Sequence, residues 1–286
     1  ITTLNSTPAN TYTFTVTASG QGTVTRTGTL TVNSPDATPP TLTSFTRQNP
    51  ATSPTNADSL TFRATFSEGV QNVNAADFAV TGTTATITNV NTVNSSTYDV
   101  TVSGGNLNNL NGTVGLNLAG GQNITDLAGN ALPAGEPTTD QTYLVDNTAP
   151  TAISFTRQNP AVHPTNVDSL TFRVIFNEDV QNVTNGDFDA TGTTAGVTSV
   201  VVVTANSVYD VTISGGNLIN YNGTAGLDFD ISGGGQQDIE DLAGNNLPSA
   251  QPTTQETYTV DNNAPTLTIT QAVGQIDPTS TLPVTF

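Results

Sequence analysis

The sequence predicts an all-β protein built from two successive copies of one sandwich, and three observations lead to this prediction. Apolar and polar residues alternate with a period of two in many short segments, as they do in half-buried strands. Clusters of Gly, Asn and Pro separate these segments, and no apolar pattern of helical period reaches a useful length. The sequence also repeats itself, because Ser-Phe-Thr-Arg-Gln-Asn-Pro occupies residues 44–50 and again residues 154–160.

The repeat continues through both copies and has the length of a domain. Asp-Leu-Ala-Gly-Asn begins at Asp126 in the first copy and at Asp241 in the second. The offset between the copies therefore grows from 110 residues (44 to 154) to 115 residues (126 to 241). Four of the extra residues lie between Leu227 and Asp241. A period of this length indicates a whole domain rather than the unit of a solenoid.

Each copy contains the segments for seven strands. Leu60, Phe62 and Phe66 point to one face of a strand, whereas Arg63 and Thr65 point to the other. Thr, Val, Phe and Tyr fill such segments and suit half-buried strands. The predicted strands of the first copy are residues 41–48, 58–67, 77–81, 85–92, 97–103, 113–119 and 141–146. Seven short strands in about 100 residues are typical of an immunoglobulin-like sandwich, so the predicted fold is all-β, with tandem immunoglobulin-like β-sandwiches of about seven strands each.

The domain limits follow from the repeat. We predict repeat 1 over residues 37–147 and repeat 2 over residues 148–262. Residues 1–36 hold two strand patterns, which we interpret as the C-terminal strands of a preceding immunoglobulin-type module. Residues 263–286 are interpreted as the start of a third repeat. The chain is therefore expected to be a segment of a longer protein.

The composition excludes several classes of function. The formal net charge is −18, with 23 acidic residues against five arginines, and the chain has no Lys, Cys, Met or Trp. A chain so poor in cations is not expected to bind nucleic acid through phosphates. Its apolar runs are all far shorter than the roughly 20 residues of a membrane span. Without Cys or Lys it can form neither disulfides nor lysine crosslinks.

The residue patterns do not favour catalysis. His163 is the sole histidine, and Ser53 stands at its counterpart in the first copy. Nucleophiles of the Cys or Lys type are absent, and the sequence lacks a Gly-x-Ser-x-Gly elbow. Paired carboxylates could serve a glycosidase, but no aromatic-rich pattern accompanies them. The sequence therefore predicts a protein that is not an enzyme.

Acidic residues gather at one end of each predicted sandwich. Since strands alternate in direction, the loop after the second strand and the loop before the seventh share an end with the incoming linker. Two sets of acids are placed there, namely Asp36, Glu68, Asp77 and Asp126 in the first copy and Asp146, Glu178, Asp187 and Asp241 in the second. Four acids without a lysine repel one another unless a cation joins them. The sequence predicts one Ca2+ ion at each of these ends; the alternative is that acidity only keeps a surface protein soluble.

Several motifs resemble the bacterial Ig-like repeats of large secreted adhesins and surface proteins. They are Phe66-Ser-Glu-Gly-Val, Ala76-Asp-Phe-Ala-Val-Thr-Gly, Asp126-Leu-Ala-Gly-Asn and Asp146-Asn-Thr-Ala-Pro-Thr. The resemblance implies domains stacked as extracellular stalks, often stiffened by calcium. The Asp-Asn-Thr-Ala-Pro linker is also similar to the calcium-binding linker of cadherins, although it lacks the longer acidic run before it.

We therefore expect a non-enzymatic, extracellular segment of a structural or adhesive stalk at the cell surface. Its expected partners are the neighbouring Ig-like repeats of the same chain. Three other hypotheses remain open. The chain could be a subunit of a surface filament or S-layer-like assembly and contact other copies of itself. It could also be a glycan- or protein-binding module, or a spacer within a secreted enzyme.

Overall fold

The computed structural model confirms the all-β prediction. It describes the residues 10–18, 20–22, 24–32, 34–231 and 238–274. Within them, the helical pieces are 3₁₀ turns of three residues each. None of these pieces has the length or the apolar character that a membrane-crossing helix requires.

The chain divides into two compact units, Ile1–Thr148 (unit 1) and Ala149–Phe286 (unit 2). Unit 1 contains twelve strands among the described residues. They are β1 (Asn10–Ala18), β2 (Val24–Val32), β3 (Leu42–Asn49), β4 (Ser59–Phe66), β5 (Val70–Gln71), β6 (Phe78–Thr81), β7 (Thr86–Asn94), β8 (Thr97–Ser103), β9 (Gly112–Leu118), β10 (Thr125–Asp126), β11 (Thr139–Asp140) and β12 (Tyr143–Val145).

Among the described residues, strands β1 and β2 pair only with each other. They form an antiparallel hairpin in which Asn10 lies opposite Val32 and Ala18 lies opposite Val24. None of the side chains described in this hairpin is buried. The described side chains of the hairpin therefore form no core of their own.

The other strands of unit 1 form a sandwich. One sheet has the order β11-β3-β4-β8-β7 and the facing sheet has the order β12-β9-β6. If the seven main strands β3, β4, β6, β7, β8, β9 and β12 are lettered A to G, the sheets are A-B-E-D and G-F-C. This is the constant-type immunoglobulin arrangement. Each of the seven strands begins and ends within two residues of its prediction.

The period-two pattern of β4 decides which side chains form the core. Leu60 and Phe62 are fully buried, whereas Arg63 points outwards and pairs with Asp99 on β8 at 2.8 Å. The rings of Phe62 and Tyr143 meet edge to face at 5.0 Å and join the two sheets. Fully burying a large apolar side chain contributes roughly 1.5–3 kcal/mol, so this inner face stabilises the sandwich.

Unit 2 repeats this architecture. Its strands are β13 (Ala152–Asn159), β14 (Ser169–Phe176), β15 (Val180–Gln181), β16 (Phe188–Thr191), β17 (Gly196–Thr204), β18 (Val208–Ser214), β19 (Gly223–Phe229), β20 (Glu240–Asp241), β21 (Thr254–Gln255) and β22 (Tyr258–Val260). The sheets have the orders β17-β18-β14-β13-β21 and β16-β19-β22. Both orders match those of unit 1 strand for strand.

The extra residues of unit 2 fall at two places. One lies in the β17–β18 connection, where the 3₁₀ turn Ala205–Ser207 stands in place of the two-residue turn after β7. The other four fall between β19 and β20, and residues 232–237 of that connection lie outside the described residues. Both insertions leave the order of the strands unchanged.

The described part of the expected third repeat contains no strand. This part comprises residues 263–274, at the beginning of the predicted third repeat. In units 1 and 2 the first strand of the sandwich pairs with the next strand along the chain. The segment that corresponds to this next strand, residues 282–286, lies outside the described residues.

Candidate metal site

The acidic end of unit 1 is assembled by a short ladder between two loops. Strand β5 follows the loop that carries Glu68, and it pairs antiparallel with β10 so that Val70 lies opposite Asp126. The Gln71 side-chain amide donates to the Asp126 carbonyl oxygen at 2.9 Å. The hydroxyl of Tyr98 donates from the core to the Val70 carbonyl oxygen at 3.0 Å. These bonds hold the Glu68 loop beside Asp126.

The loop Asp126-Leu-Ala-Gly-Asn130 fixes the Asp126 carboxylate. Its Oδ1 accepts from the backbone N–H groups of Ala128 and Asn130, both at 2.8 Å. Its Oδ2 accepts from the Asn130 side-chain amide at 2.7 Å. Gly129 has φ +94°, which a glycine adopts without strain. Asp126 is only 1% exposed, so its position does not depend on solvent.

Asp36 approaches the same carboxylate from the incoming linker. The Asn130 side-chain amide also lies 3.2 Å from the Asp36 carbonyl oxygen, to which it donates. One carboxylate oxygen from each of Asp36, Glu68 and Asp126 lies within 4.8 Å of the other two. Two oxygens on one calcium ion can be up to about 5 Å apart, since each Ca–O bond is about 2.3–2.6 Å. The three oxygens therefore fit around one such ion.

Burial, hydrogen bonds and neighbouring charges shift the pKa values of Glu68 and Asp126 in opposite directions. Burial raises the pKa of Glu68, and the nearby charges of Asp36 and Asp126 raise it further. For Asp126, burial alone would raise the pKa, but hydrogen bonds from Asn130, Ala128 and Gly129 outweigh it and bring the pKa below its usual value. Asp126 therefore keeps its negative charge. Glu68 is the member of the group whose negative charge a proton or a cation would neutralise first.

Asp77, which the sequence placed in this set, is not part of the group. It ends the 3₁₀ turn Ala75–Asp77, where its Oδ2 accepts from the Asn74 N–H at 2.7 Å. Its Oδ1 accepts from the Asn123 N–H at 3.0 Å. Asp187 does the same in unit 2, accepting from the Thr184 N–H at 2.6 Å. Both carboxylates are buried and used by the backbone, so we assign them a structural role.

Unit 2 holds the corresponding pair of acids. Carboxylate oxygens of Glu178 and Asp241 lie within 4.8 Å of each other. Asp241 Oδ1 accepts from the N–H groups of Ala243 at 2.8 Å and Asn245 at 2.9 Å, as Asp126 does in unit 1. Asp146, the remaining member of the predicted set, belongs to unit 1, where its N–H donates to the Thr55 carbonyl oxygen at 3.0 Å.

Sequence reasoning missed the glutamines that tie the two loops together. Gln71 in unit 1 and Gln181 in unit 2 each donate to the carbonyl oxygen of the loop aspartate, in both cases at 2.9 Å. Both occur in the tripeptide Val-Gln-Asn, at residues 70–72 and 180–182. This repeated tripeptide was the available signal.

Comparisons with known proteins leave the chain without an assigned family. No family model matches the sequence, and no curated protein matches it. Among solved structures it is similar to an endo-fucoidan hydrolase from glycoside hydrolase family 107, at 12% identity and a TM-score of 0.21, over 89% of this chain and 34% of that one. It is also similar to a structure of titin domains, at 7% identity and a TM-score of 0.21, over 79% of this chain and 66% of that one. The chain thus spans about a third of the hydrolase and just under two thirds of the titin segment, and likenesses this weak carry no argument about activity.

Proposed function

We propose that this chain is a non-enzymatic segment of an extracellular stalk, whose sandwiches carry mechanical force and whose acidic ends bind calcium. The observation that supports this most is the way in which the beginning and the end of each sandwich are joined. In both units a two-residue strand just before the last strand pairs in parallel with the first strand, and the last strand forms a parallel bridge to a threonine in the connection after the first strand.

In unit 1, two sets of bonds join the beginning of the sandwich to its end. Strand β11 pairs in parallel with β3, and the Gln141 N–H donates to the Phe45 carbonyl oxygen at 2.9 Å. A second parallel contact lies at Thr55. Its N–H donates to the Leu144 carbonyl oxygen and its own carbonyl oxygen accepts from the Asp146 N–H, both at 3.0 Å.

Unit 2 contains the same two contacts. Strand β21 pairs in parallel with β13, and the Glu256 N–H donates to the Phe155 carbonyl oxygen at 2.8 Å. The Thr165 carbonyl oxygen accepts from the Asp261 N–H at 2.8 Å, and the Thr165 N–H donates to the Thr259 carbonyl oxygen at 2.9 Å. The parallel connection is therefore a property of the repeat.

A parallel connection between the beginning and the end of a sandwich suits a stalk for two physical reasons. The chain enters the sandwich at one end and leaves it at the other, so each added repeat adds length. A force on the two ends also slides the strands along each other, which loads all their hydrogen bonds at once instead of one after another. A single bond contributes only about 0.5–1.5 kcal/mol net, but bonds that must break together resist a pull jointly.

Calcium is proposed at the acidic end because three carboxylates from separate segments meet there. A bound ion would join Asp36 of the incoming linker to Glu68 and Asp126 of the sandwich. It would also offset the repulsion from Asp36 and Asp126, which adds to the effect of burial in raising the pKa of Glu68. Calcium sites of extracellular modules bind with dissociation constants of about 10⁻⁴–10⁻³ M, which fits the proposed location.

The mechanical proposal is tested by pulling single molecules of the full chain from both ends. We expect two unfolding events, each lengthening the chain by roughly 350 Å, since about 100 residues extend by about 3.3–3.6 Å each. Gln141→Pro removes the N–H that donates to Phe45 and should lower the unfolding force of unit 1. The event from unit 2 serves as the internal reference.

A matched control separates force from stability. Ile87 on β7 packs against the core away from the parallel contacts, so Ile87→Ala should lower the melting temperature of unit 1 but change its unfolding force less than Gln141→Pro does. Equal losses of force in the two variants would show that the parallel contacts carry no special share of the load, and the proposed function would fall.

A further inference from the structure

Strand β17 of unit 2 is an edge strand with exposed apolar side chains. Its sequence is Gly-Val-Thr-Ser-Val-Val-Val-Val-Thr. Val201, Val202 and Val203 are 55%, 52% and 41% exposed. In the sheet order β17 has only β18 as a neighbour, so within the described residues one side of its backbone is hydrogen-bonded to no other strand. Long apolar edges of this kind are templates for pairing with another chain.

The equivalent strand of unit 1 shows that the fold does not require these valines. Strand β7 carries Asn91 opposite Asp99 and Thr92 opposite Tyr98. Strand β17 places Val201 opposite Asp210 and Val202 opposite Tyr209, which are the same positions. The valines one position earlier, Val90 and Val200, pack against the core in both units. Only the exposed pair has changed from polar to apolar.

The lack of charge on this strand, in a chain that is otherwise acidic, indicates what pairs with this edge. A second copy of the chain also carries a net charge of −18, so most of its surface repels the first. Residues 196–204 contain no charged residue and no proline, which are the usual means of protecting an edge. Around a two-fold axis each strand meets its own sequence in the reverse direction, so a contact made by one copy is made twice.

We propose that β17 is a self-association surface, on which two copies of this chain pair their β17 strands antiparallel, edge to edge. The contact would join two five-stranded sheets into one and shelter Val201 and Val202 of both copies. It concerns contacts between chains, and it depends neither on the calcium site nor on the mechanical role.

Two irregularities in β17 limit the strength of this contact. The register with β18 shifts between Val197 and Ser199 and again between Val202 and Thr204. Such bulges bend an edge away from a partner, so regular pairing is confined to Ser199–Val202. We therefore expect weak association that becomes significant at high concentration or when many copies are held close together.

The test is sedimentation of the full chain over a wide concentration range, with chelator present so that cation-mediated contacts do not contribute. The wild type should approach the mass of a dimer as its concentration rises, and added salt should strengthen the association because it screens the acidic surfaces. Val201→Asn combined with Val202→Thr introduces the residues of unit 1 and should keep the chain monomeric. Since β7 forms with these residues, the variant is expected to fold, which circular dichroism checks.

Two further variants make the result specific. Val162 is 75% exposed outside β17, and its counterpart in the first copy is Thr52, so Val162→Thr should associate as the wild type does. Asn91→Val combined with Thr92→Val gives unit 1 the same apolar edge and should produce assemblies larger than dimers. A wild type that stays monomeric at every concentration, or a Val201→Asn/Val202→Thr variant that associates as strongly as the wild type, would overturn the proposal.

Discussion

Strand β16 of unit 2 and strand β6 of unit 1 occupy the same place in their sandwiches but differ in charge. Asp189 on β16 lies opposite Asp228 on β19, whereas Ala79 on β6 lies opposite Asn117. Burial raises the pKa of Asp189, and the neighbouring carboxylates of Asp230 and Asp228 raise it further. Like charges directly across a pair of strands are destabilising, so unit 2 tolerates a cost here that unit 1 does not have.

A second difference lies beside the buried aspartate of the 3₁₀ turn. Burial raises the pKa of Asp187, hydrogen bonds from Thr184 lower it, and the charge and shared hydrogen bond of Asp238 raise it again. Unit 1 has Asn123 in the place of Asp238 and directs its backbone N–H at the carboxylate of Asp77. Unit 2 thus sets two acids together where unit 1 has an acid and an amide.

The interiors of the two units do not differ in this way. The ring pair Phe62–Tyr143 in unit 1 has a centroid distance of 5.0 Å, and Phe172–Tyr258 in unit 2 has 5.1 Å. Buried contacts of this kind are costly to change, whereas exposed positions on β16 and β17 can vary without loss of the fold. Behaviour specific to one unit should therefore arise from these strand surfaces.

The largest expected effect tests the feature that both units share. Asp241→Ala removes the acceptor for two backbone N–H groups and the side-chain amide of Asn245. Because the backbone N–H groups of Ala243 and Asn245 lose this acceptor, the unfolding free energy of unit 2 should fall by about 3 kcal/mol. Hydrogen exchange of strand peptides, with chelator present, measures the two units separately.

Asp241→Asn is the control for this change, because it keeps one side-chain oxygen as an acceptor and should cost less. Asp126→Ala should move the loss to unit 1. If either alanine variant destabilised both units equally, the two units would unfold together and comparing their stabilities would have no basis.

The next effect concerns calcium at the acidic end of unit 1. With free calcium at about 100 times the dissociation constant, a site adds about 2.7 kcal/mol to stability. Glu68→Gln should remove most of this gain in thermal melts with and without chelator. The pKa of Glu68 is raised in the folded chain, so a proton competes for the site, and the calcium response should decline as the pH falls through that raised pKa.

Asp58→Asn is the matched control for the calcium melts. Asp58 is exposed and lies beside Gly104 and Leu107, so the variant removes one negative charge of unit 1 outside the acidic group. It should keep the calcium response of the wild type. A wild-type midpoint that chelator leaves unchanged would remove calcium from the proposal.

The sequence could predict the main strands because a half-buried strand leaves a period-two pattern, as in Leu60 to Phe66. It could also bring Glu68 and Asp126 together, since the alternation of strands places their loops at one end. It missed the two-residue strands β5, β10 and β11, which are too short to show a period. Asp77 was misplaced because its segment was interpreted as the start of a strand. The capping pattern Asn74-Ala-Ala-Asp77, repeated as Thr184-Asn-Gly-Asp187, pointed to a turn.

The smallest expected effect tests the acid pair that only unit 2 has. Because the pKa of Asp187 is raised in the folded chain, the stability it contributes is fully present below its unfolded pKa of about 3.9 and is lost as the pH rises through the folded value.

Asp238→Asn introduces the residue of unit 1 and should stabilise unit 2 at neutral pH. Asp238 is exposed and its charge is screened by solvent, so the gain should be about 0.5 kcal/mol. The gain should shrink as the pH falls through the raised pKa of Asp187, because a protonated Asp187 is not repelled by Asp238. Urea denaturation at a series of pH values, followed by hydrogen exchange of unit 2 peptides, measures it, and Asn123→Asp should produce the opposite change in unit 1. A gain that stayed constant with pH would show that it comes from the local packing of the asparagine rather than from repulsion between the two carboxylates.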